Sequence, residues 1–459
     1  MNQRRVLPQI TEGNIWKQIL VFFFPIMLGT FFQQMYNTVD TIIVGRFVGT
    51  EALAAVGTTG PLVNMINGFF IGLGSGATVI LSQFYGAGNR QGIRNALHTG
   101  MALSLLLGLL ITVLGCGFGP WVLEKMNTPE SCLPMASLYI RIYFSGAVAS
   151  MVYNMGAGIL RAMGDSRRPM LFLIAACLVN IGMDVLLVVV LKLGVVGAAL
   201  ATVLSQAVSA ALLLRVLLRL PDTPLTLDQL RLDRGLLQRI LAIGVPAGLQ
   251  FVTFDFSNIL IQSGINSFGA VPMAAWTAFG KTDSLIWMIS GAFGMAITTF
   301  VGQNFGAQKY RRVRQSVRAC LTMSVAITGT LSVLILLFRR AILGIYTTDP
   351  EVVQVGAYLM SVIVPFAVTF MPVEIFAGAM RGTGYSLVPT AITCFFVCVA
   401  RILWLIFVVR RWHSLFMLAV CYPITWVMAA MVFFVVYLRG GWMESRIRAC
   451  GMEPEEKGC

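Results

Sequence analysis

The sequence predicts an all-α polytopic membrane protein, with twelve transmembrane helices forming two six-helix lobes related by pseudo-two-fold symmetry. Three observations predict this class. Apolar runs of about 20 residues, long enough to cross roughly 30 Å of hydrocarbon as helix, recur along the whole chain. The 459 residues are 57% hydrophobic and 11% charged, with a mean hydropathy of +0.82. A soluble protein could not bury that much apolar surface, because its outside must carry polar groups. Finally, the chain is written twice. SQFYGAGNRQGIRNAL at 82–97 returns as GQNFGAQKYRRVRQSV at 302–317, and GILRAMGDSRRP at 158–169 returns as GAMRGTGYSLVP at 378–389, both at an offset of 220. FP at 24–25 answers VP at 245–246 one residue out of step.

The apolar periodicity places spans at about 15–40, 52–80, 95–118, 133–158, 168–191, 195–218, 237–266, 270–300, 314–338, 352–378, 386–409 and 414–438. Pro25 and Pro246 fall inside spans one and seven, where each can bend the helix. In span two, GLGSGAT at 72–78 lacks the GK[ST] ending of a phosphate loop, so Gly72 and Gly76 are read as helix-packing residues. The segment LRLPDTPLTLDQLRLDRG at 218–235 is the longest polar break. The organisation is therefore an N-terminal lobe at 1–219, a cytoplasmic linker at 220–236, a C-terminal lobe at 237–440 and a cytoplasmic tail at 441–459. Six spans per lobe give both lobes one orientation, an arrangement that recurs among secondary transporters.

A net charge of +14 invites a nucleic-acid partner, but the positions of the charges argue against one. Lys and Arg concentrate in the N-terminus, the even-numbered loops and the tail, including Arg4, Arg5, Arg90, Arg94, Arg167, Arg168, Arg231, Arg234, Arg311, Arg312 and Arg314. This is the positive-inside pattern, with both termini cytoplasmic. Arg141, Lys281 and Arg401 fall within spans. The N-terminus has no cleavage site of small residues, so the first span is expected to be retained. Nine cysteines include no CxxC, and Cys394 and Cys398 read as packing residues. His98 and His413 stand apart from any metal-ligand cluster.

Ionisable groups inside spans cost roughly 2.5–3.5 kcal/mol on insertion scales and point to function. Asp40, Asp184, Asp255 and Glu374 are the acidic candidates. Asp40 shares a helix face with Gln33, Tyr36 and Asn37, and Asp184 follows Asn180 by one turn. Two acids in one dry pocket readily hold a proton or a hard cation such as Na⁺. At an offset of 220, Asn180 and Asp184 fall on Ala400 and Trp404, and Asp40 falls on Leu260. The ion site is therefore expected in the N-terminal half alone.

YNTVDTIIVGRFVGTEALAAVG, the GILRAMGD turn, VNIGMD and the doubled six spans resemble the multidrug and toxic compound extrusion (MATE) family, and more narrowly its DinF-like branch. The resemblance runs from about 14 to 440. It implies a cation-coupled (H⁺ or Na⁺) antiporter that expels amphipathic, often cationic, organic compounds. It also implies a cation site at Asp40, Asn180, Asp184 and Thr202, which would hold Na⁺ if Na⁺ is the coupling ion. NorM-like relatives place an acid near Asp255, one residue out of register. A substrate cavity is expected to include Gln33, Met35, Tyr36, Asn37 and Met155, with Asp255 and Glu374 as further candidates; Arg161 and Arg381 are read as loop anchors.

The expected protein is a monomeric efflux transporter of a prokaryotic plasma membrane, working by alternating access on small molecules among membrane lipids. It has no cofactor beyond its coupling ion and no nucleic-acid partner. The alternative is a flippase for lipids or lipid-linked oligosaccharides, which would favour a basic cavity. An intramembrane enzyme is disfavoured because the spans hold no nucleophile–base pair or metal motif.

Overall fold

A computed structural model describes residues 10–126 and 128–449. Arg4, Arg5 and tail residues 450–459 lie outside the described residues. The helices, in chain order, are α1 (Ile15–Phe47), α2 (Thr50–Gly86), α3 (Arg90–Lys125), α4 (Leu133–Ser145), α5 (Ala147–Ala162) and α6 (Arg167–Asp184). They continue with α7 (Gly194–Leu217), α8 (Arg234–Asn266), α9 (Ala270–Gly306), α10 (Tyr310–Tyr346), α11 (Pro350–Ile363) and α12 (Ala367–Gly382). The series ends with α13 (Leu387–Trp412), α14 (Leu415–Leu438) and a short α15 (Gly441–Ala449). Among the described residues, eleven spans are long and apolar enough to cross a membrane, and α4 with α5, bent by 48°, makes a twelfth. The expected single fourth span is thus broken at Gly146. A Cβ there would come within 2.8 Å of Val203, so the bend lets the backbone close on α7.

The repeat extends to the backbone. α1 and α8 are both 33 residues long, and α2 and α9 are both 37. Gly164 (φ 91°) and Gly384 (φ 87°) end the repeated GILRAMGD and GAMRGTGY turns in the left-handed conformation, which glycine adopts without a Cβ penalty. The same bonds close both turns: Asp165 N donates to Leu160 O at 2.9 Å, and Tyr385 N donates to Met380 O at 2.9 Å. α3 begins where the Asn89 side chain accepts from Gly92 N at 2.8 Å.

The chain forms two compact units. One holds Phe24–Val245, and the other holds Ile10–Phe23 with the chain from Pro246 onward. The division therefore runs through α1 and α8 beside Pro25 and Pro246, not at the linker 220–236. In the first unit the linker is tied down. Leu220 and Leu225 are buried, and Thr226 N donates to His98 Nε2 at 3.1 Å. Gly76 of α2 packs backbone to backbone against Ile240 and Gly244 of α8, the close contact foreseen for the GLGSGAT run. In the second unit, Arg312 donates to the Ile10, Glu12 and Gly13 carbonyls and to Gln18 Oε1, which fixes the start of α1.

Candidate cation-binding site

The polar residues of α6 mark its inward face. Cys177, Asn180 and Asp184 are all 0% exposed and stand three or four residues apart, while Leu178, Val185 and Leu186 point outward. After Asp184 the helix widens into a π-helical stretch, Val185–Val190, of the kind that often accompanies functional sites. In α1 Asp40 is 8% exposed, and Asn37 and Gln33, one and two turns earlier, are exposed. Tyr36 and Met35 are half-buried. This polar stripe leads from an accessible surface to a buried carboxylate. Thr202 of α7 is buried, and its hydroxyl donates to Ala198 O at 3.1 Å, leaving the oxygen lone pairs free for a ligand.

One apolar cluster joins the three helices. It contains Ile43 and Val44 of α1, Val188 after α6, Ala198 and Ala199 of α7, and Tyr139 of α4. Each of the first three sets lies one turn from Asp40, Asp184 or Thr202. Asp184 is within electrostatic reach of Asp40, and Tyr139 is within reach of both. Asp40 Oδ1, both Asn180 side-chain polar atoms and both Asp184 oxygens are buried without a hydrogen-bond partner among the described residues. A structural polar network would satisfy these atoms. Two carboxylates, an amide oxygen and a hydroxyl would together make an oxygen-rich set suited to a proton or a hard cation.

The remaining candidates do not gather here. Met155 is buried in the α2–α3–α5–α7 core, so it packs helices. Asp255 and Glu374 belong to the second unit. Glu374 Oε1 accepts from Arg381 Nη2 at 3.2 Å, and Arg381 Nη1 also donates to Gln250 Oε1 at 3.3 Å. Arg381 thus bonds side chains of its own unit as well as standing beside its turn. Sequence reasoning missed Tyr139 and Tyr143, one turn apart in α4 and stacked with centroids 6.2 Å apart; Asn67 donates to the Tyr143 hydroxyl at 2.9 Å. Two tyrosines at helical spacing in an apolar span were the available signal. It also missed Asp283 of α9, whose Oδ2 accepts from Trp287 Nε1 at 2.7 Å.

A family model described as MatE matches residues 25–186 and 246–406, one copy in each half. This chain belongs to the MatE family. The two MatE matches begin at Pro25 and Pro246, where the compact units also divide. The Bacillus subtilis protein named "Probable multidrug resistance protein YoeA" is 30% identical over 394 residues, 84% of this chain and 85% of that protein. The fold matches a MOP superfamily transporter from Pyrococcus furiosus with a TM-score of 0.89 at 24% identity, covering 99% of this chain and 100% of the other. It also matches the outward-facing conformation of a multidrug resistance MATE family transporter, with a TM-score of 0.88 at 25% identity and 98% and 99% coverage. The MatE architecture of two lobes and twelve spans is thus the fold of this chain.

Proposed function

We propose that the chain is a cation-coupled antiporter of the DinF-like branch. It exports amphipathic, often cationic, organic compounds across a prokaryotic plasma membrane, with both termini cytoplasmic. The supporting observation is the group of unpartnered polar atoms on Asp40, Asn180 and Asp184 in the first unit. An ion arriving from outside binds there with Thr202 and neutralises the carboxylates. Substrate arriving from the cytoplasm favours the ion-free state, so each ligand weakens the other's hold through reciprocal linkage. Gln33, Tyr36 and Asn37 line the approach to Asp40. The relatives named above give the lipid-flippase alternative no support.

The test is dye efflux from proteoliposomes under an imposed pH gradient or Na⁺ gradient. Asp40→Asn should abolish the response to whichever gradient drives the wild type. Intact ion-driven efflux in that variant would overturn the proposal, and the better driving gradient identifies the ion.

A further inference from the structure

The second unit holds a buried charge that antiport at Asp40 does not use. Arg401 of α13 is 1% exposed. Its Cζ lies 4.0 Å from the centroid of the Tyr422 ring, and its Nη2 donates to Thr425 Oγ1 at 3.3 Å. That hydroxyl donates its own hydrogen to the Cys421 carbonyl at 2.7 Å. Arg401 Nε has no partner among the described residues, and neither has the indole N–H of Trp426, a side chain only 2% exposed. Trp426 packs against Trp287 and Tyr422, with ring centroids 6.3 and 5.6 Å away. Asp283 is within electrostatic reach of Arg401 but forms no ion pair with it among the described residues.

A buried cation is normally paired, and a buried donor normally has an acceptor. Two donors in one aromatic cluster, one of them charged, match a ligand that brings its own anionic acceptor. A guanidinium presents planar donors suited to a carboxylate, and the surrounding rings suit a flat aromatic body. The repeat supports a ligand role at this place. α13 and α14 are the counterparts of α6 and α7, which carry Asn180, Asp184 and Thr202. At an offset of 220 Arg401 falls on Ile181, and at the offset of 221 that aligns α7 with α14, Trp426 falls on Ser205. Equivalent helices thus carry an acid in one half and a base in the other.

We propose that the second unit has its own ligand site, in which Arg401 and Trp426 bind the carboxylate of an aromatic organic anion whose ring packs among Trp287, Tyr422 and Trp426. This goes beyond the antiport reading, and its test needs no ion gradient, so the two can fail separately. Naphthalene-2-carboxylate is titrated into the purified full-length protein in detergent, with binding followed by tryptophan fluorescence and calorimetry. Naphthalen-2-ylmethylammonium serves as the cationic counterpart.

The carboxylate should bind saturably, and the ammonium at least tenfold more weakly. Trp426→Phe, which keeps an aromatic ring but removes the N–H, should weaken carboxylate binding by about tenfold. Arg401→Gln should weaken it on the order of a hundredfold. Trp426→Phe carries the test should Arg401→Gln fail to fold. Equal binding of the two probes, or unchanged carboxylate binding in Trp426→Phe, would overturn the proposal. Displacement by chloride at matched concentration would also overturn it, assigning the site to a small inorganic anion.

Discussion

Replacing Asp184 by Asn removes one negative charge from the candidate site and keeps its shape. Both Asp184 oxygens are buried without a partner among the described residues. In alkaline, sodium-free buffer the wild type therefore carries a buried charge that the chain does not neutralise. An unsatisfied buried acceptor costs about 1–3 kcal/mol, and more when charged. Asp184→Asn should leave the ion-free protein at least as stable as wild type, or more stable by about 1–3 kcal/mol. Tm should accordingly stay level or rise by a few degrees. A buried salt bridge would behave oppositely, because losing one partner costs about 3–5 kcal/mol. Na⁺ or acid should raise the wild-type Tm, since any ligand selective for the folded state stabilises it. In the variant the ion meets one carboxylate fewer, which weakens the attraction by about 1–4 kcal/mol, depending on screening. Most of the ion-induced rise should disappear. Scanning fluorimetry in detergent, at constant ionic strength, reads both effects. A marked fall in Tm without ions, or an undiminished rise with them, would refute the reasoning.

Three further changes probe the packing. A Cβ at Gly76 would lie 2.9 Å from Gly244 N, whereas one at Gly74 would meet nothing within 4 Å; Gly76→Ala should destabilise by about 1–3 kcal/mol and Gly74→Ala should be near neutral, as Tm will show. Glu374 and Arg381 side chains are only 20% and 13% exposed, so Glu374→Gln should lower Tm, and adding Arg381→Met should restore much of the loss because no unpaired charge then remains. His98 Nδ1 donates to Arg94 O at 2.7 Å while Nε2 accepts from Thr226 N; His98→Ala should free the linker and speed trypsin cleavage at Arg231 and Arg234, visible on a gel.

The spans were legible because lipid-facing helices are apolar over nearly their whole length, so a simple run of residues reports each one. The repeat was legible because its turns need particular residues, such as the left-handed Gly164 and Gly384. Asp40 and Asp184 could be picked out as candidates because acids inside apolar spans are costly enough to stand out, whereas Thr202 came only from the family resemblance. The bend at Gly146 was hidden because its cause, the nearby Val203, is 57 positions away in the chain. The π-helical stretches were hidden for a different reason: VLLVVV is equally at home in an α-helix. The Glu374–Arg381 pair lay within reach of the sequence, since seven residues make two helical turns. Asp283 was overlooked beside Lys281, and only the fold shows its bond to Trp287.

Widened turns like the one after Asp184 recur in the counterpart helix, at Cys394–Val399 and at Leu405–Val409 after Trp404, although that helix holds no Asp or Glu of its own. The acid is therefore not what deforms the helix. The simplest history has the deformation present in an ancestral half-length chain, before the gene doubled. The two copies of that scaffold now carry opposite charges, Asp184 in one and Arg401 in the other. On that history, related chains should vary in the charges they carry at these positions far more readily than they lose the turn.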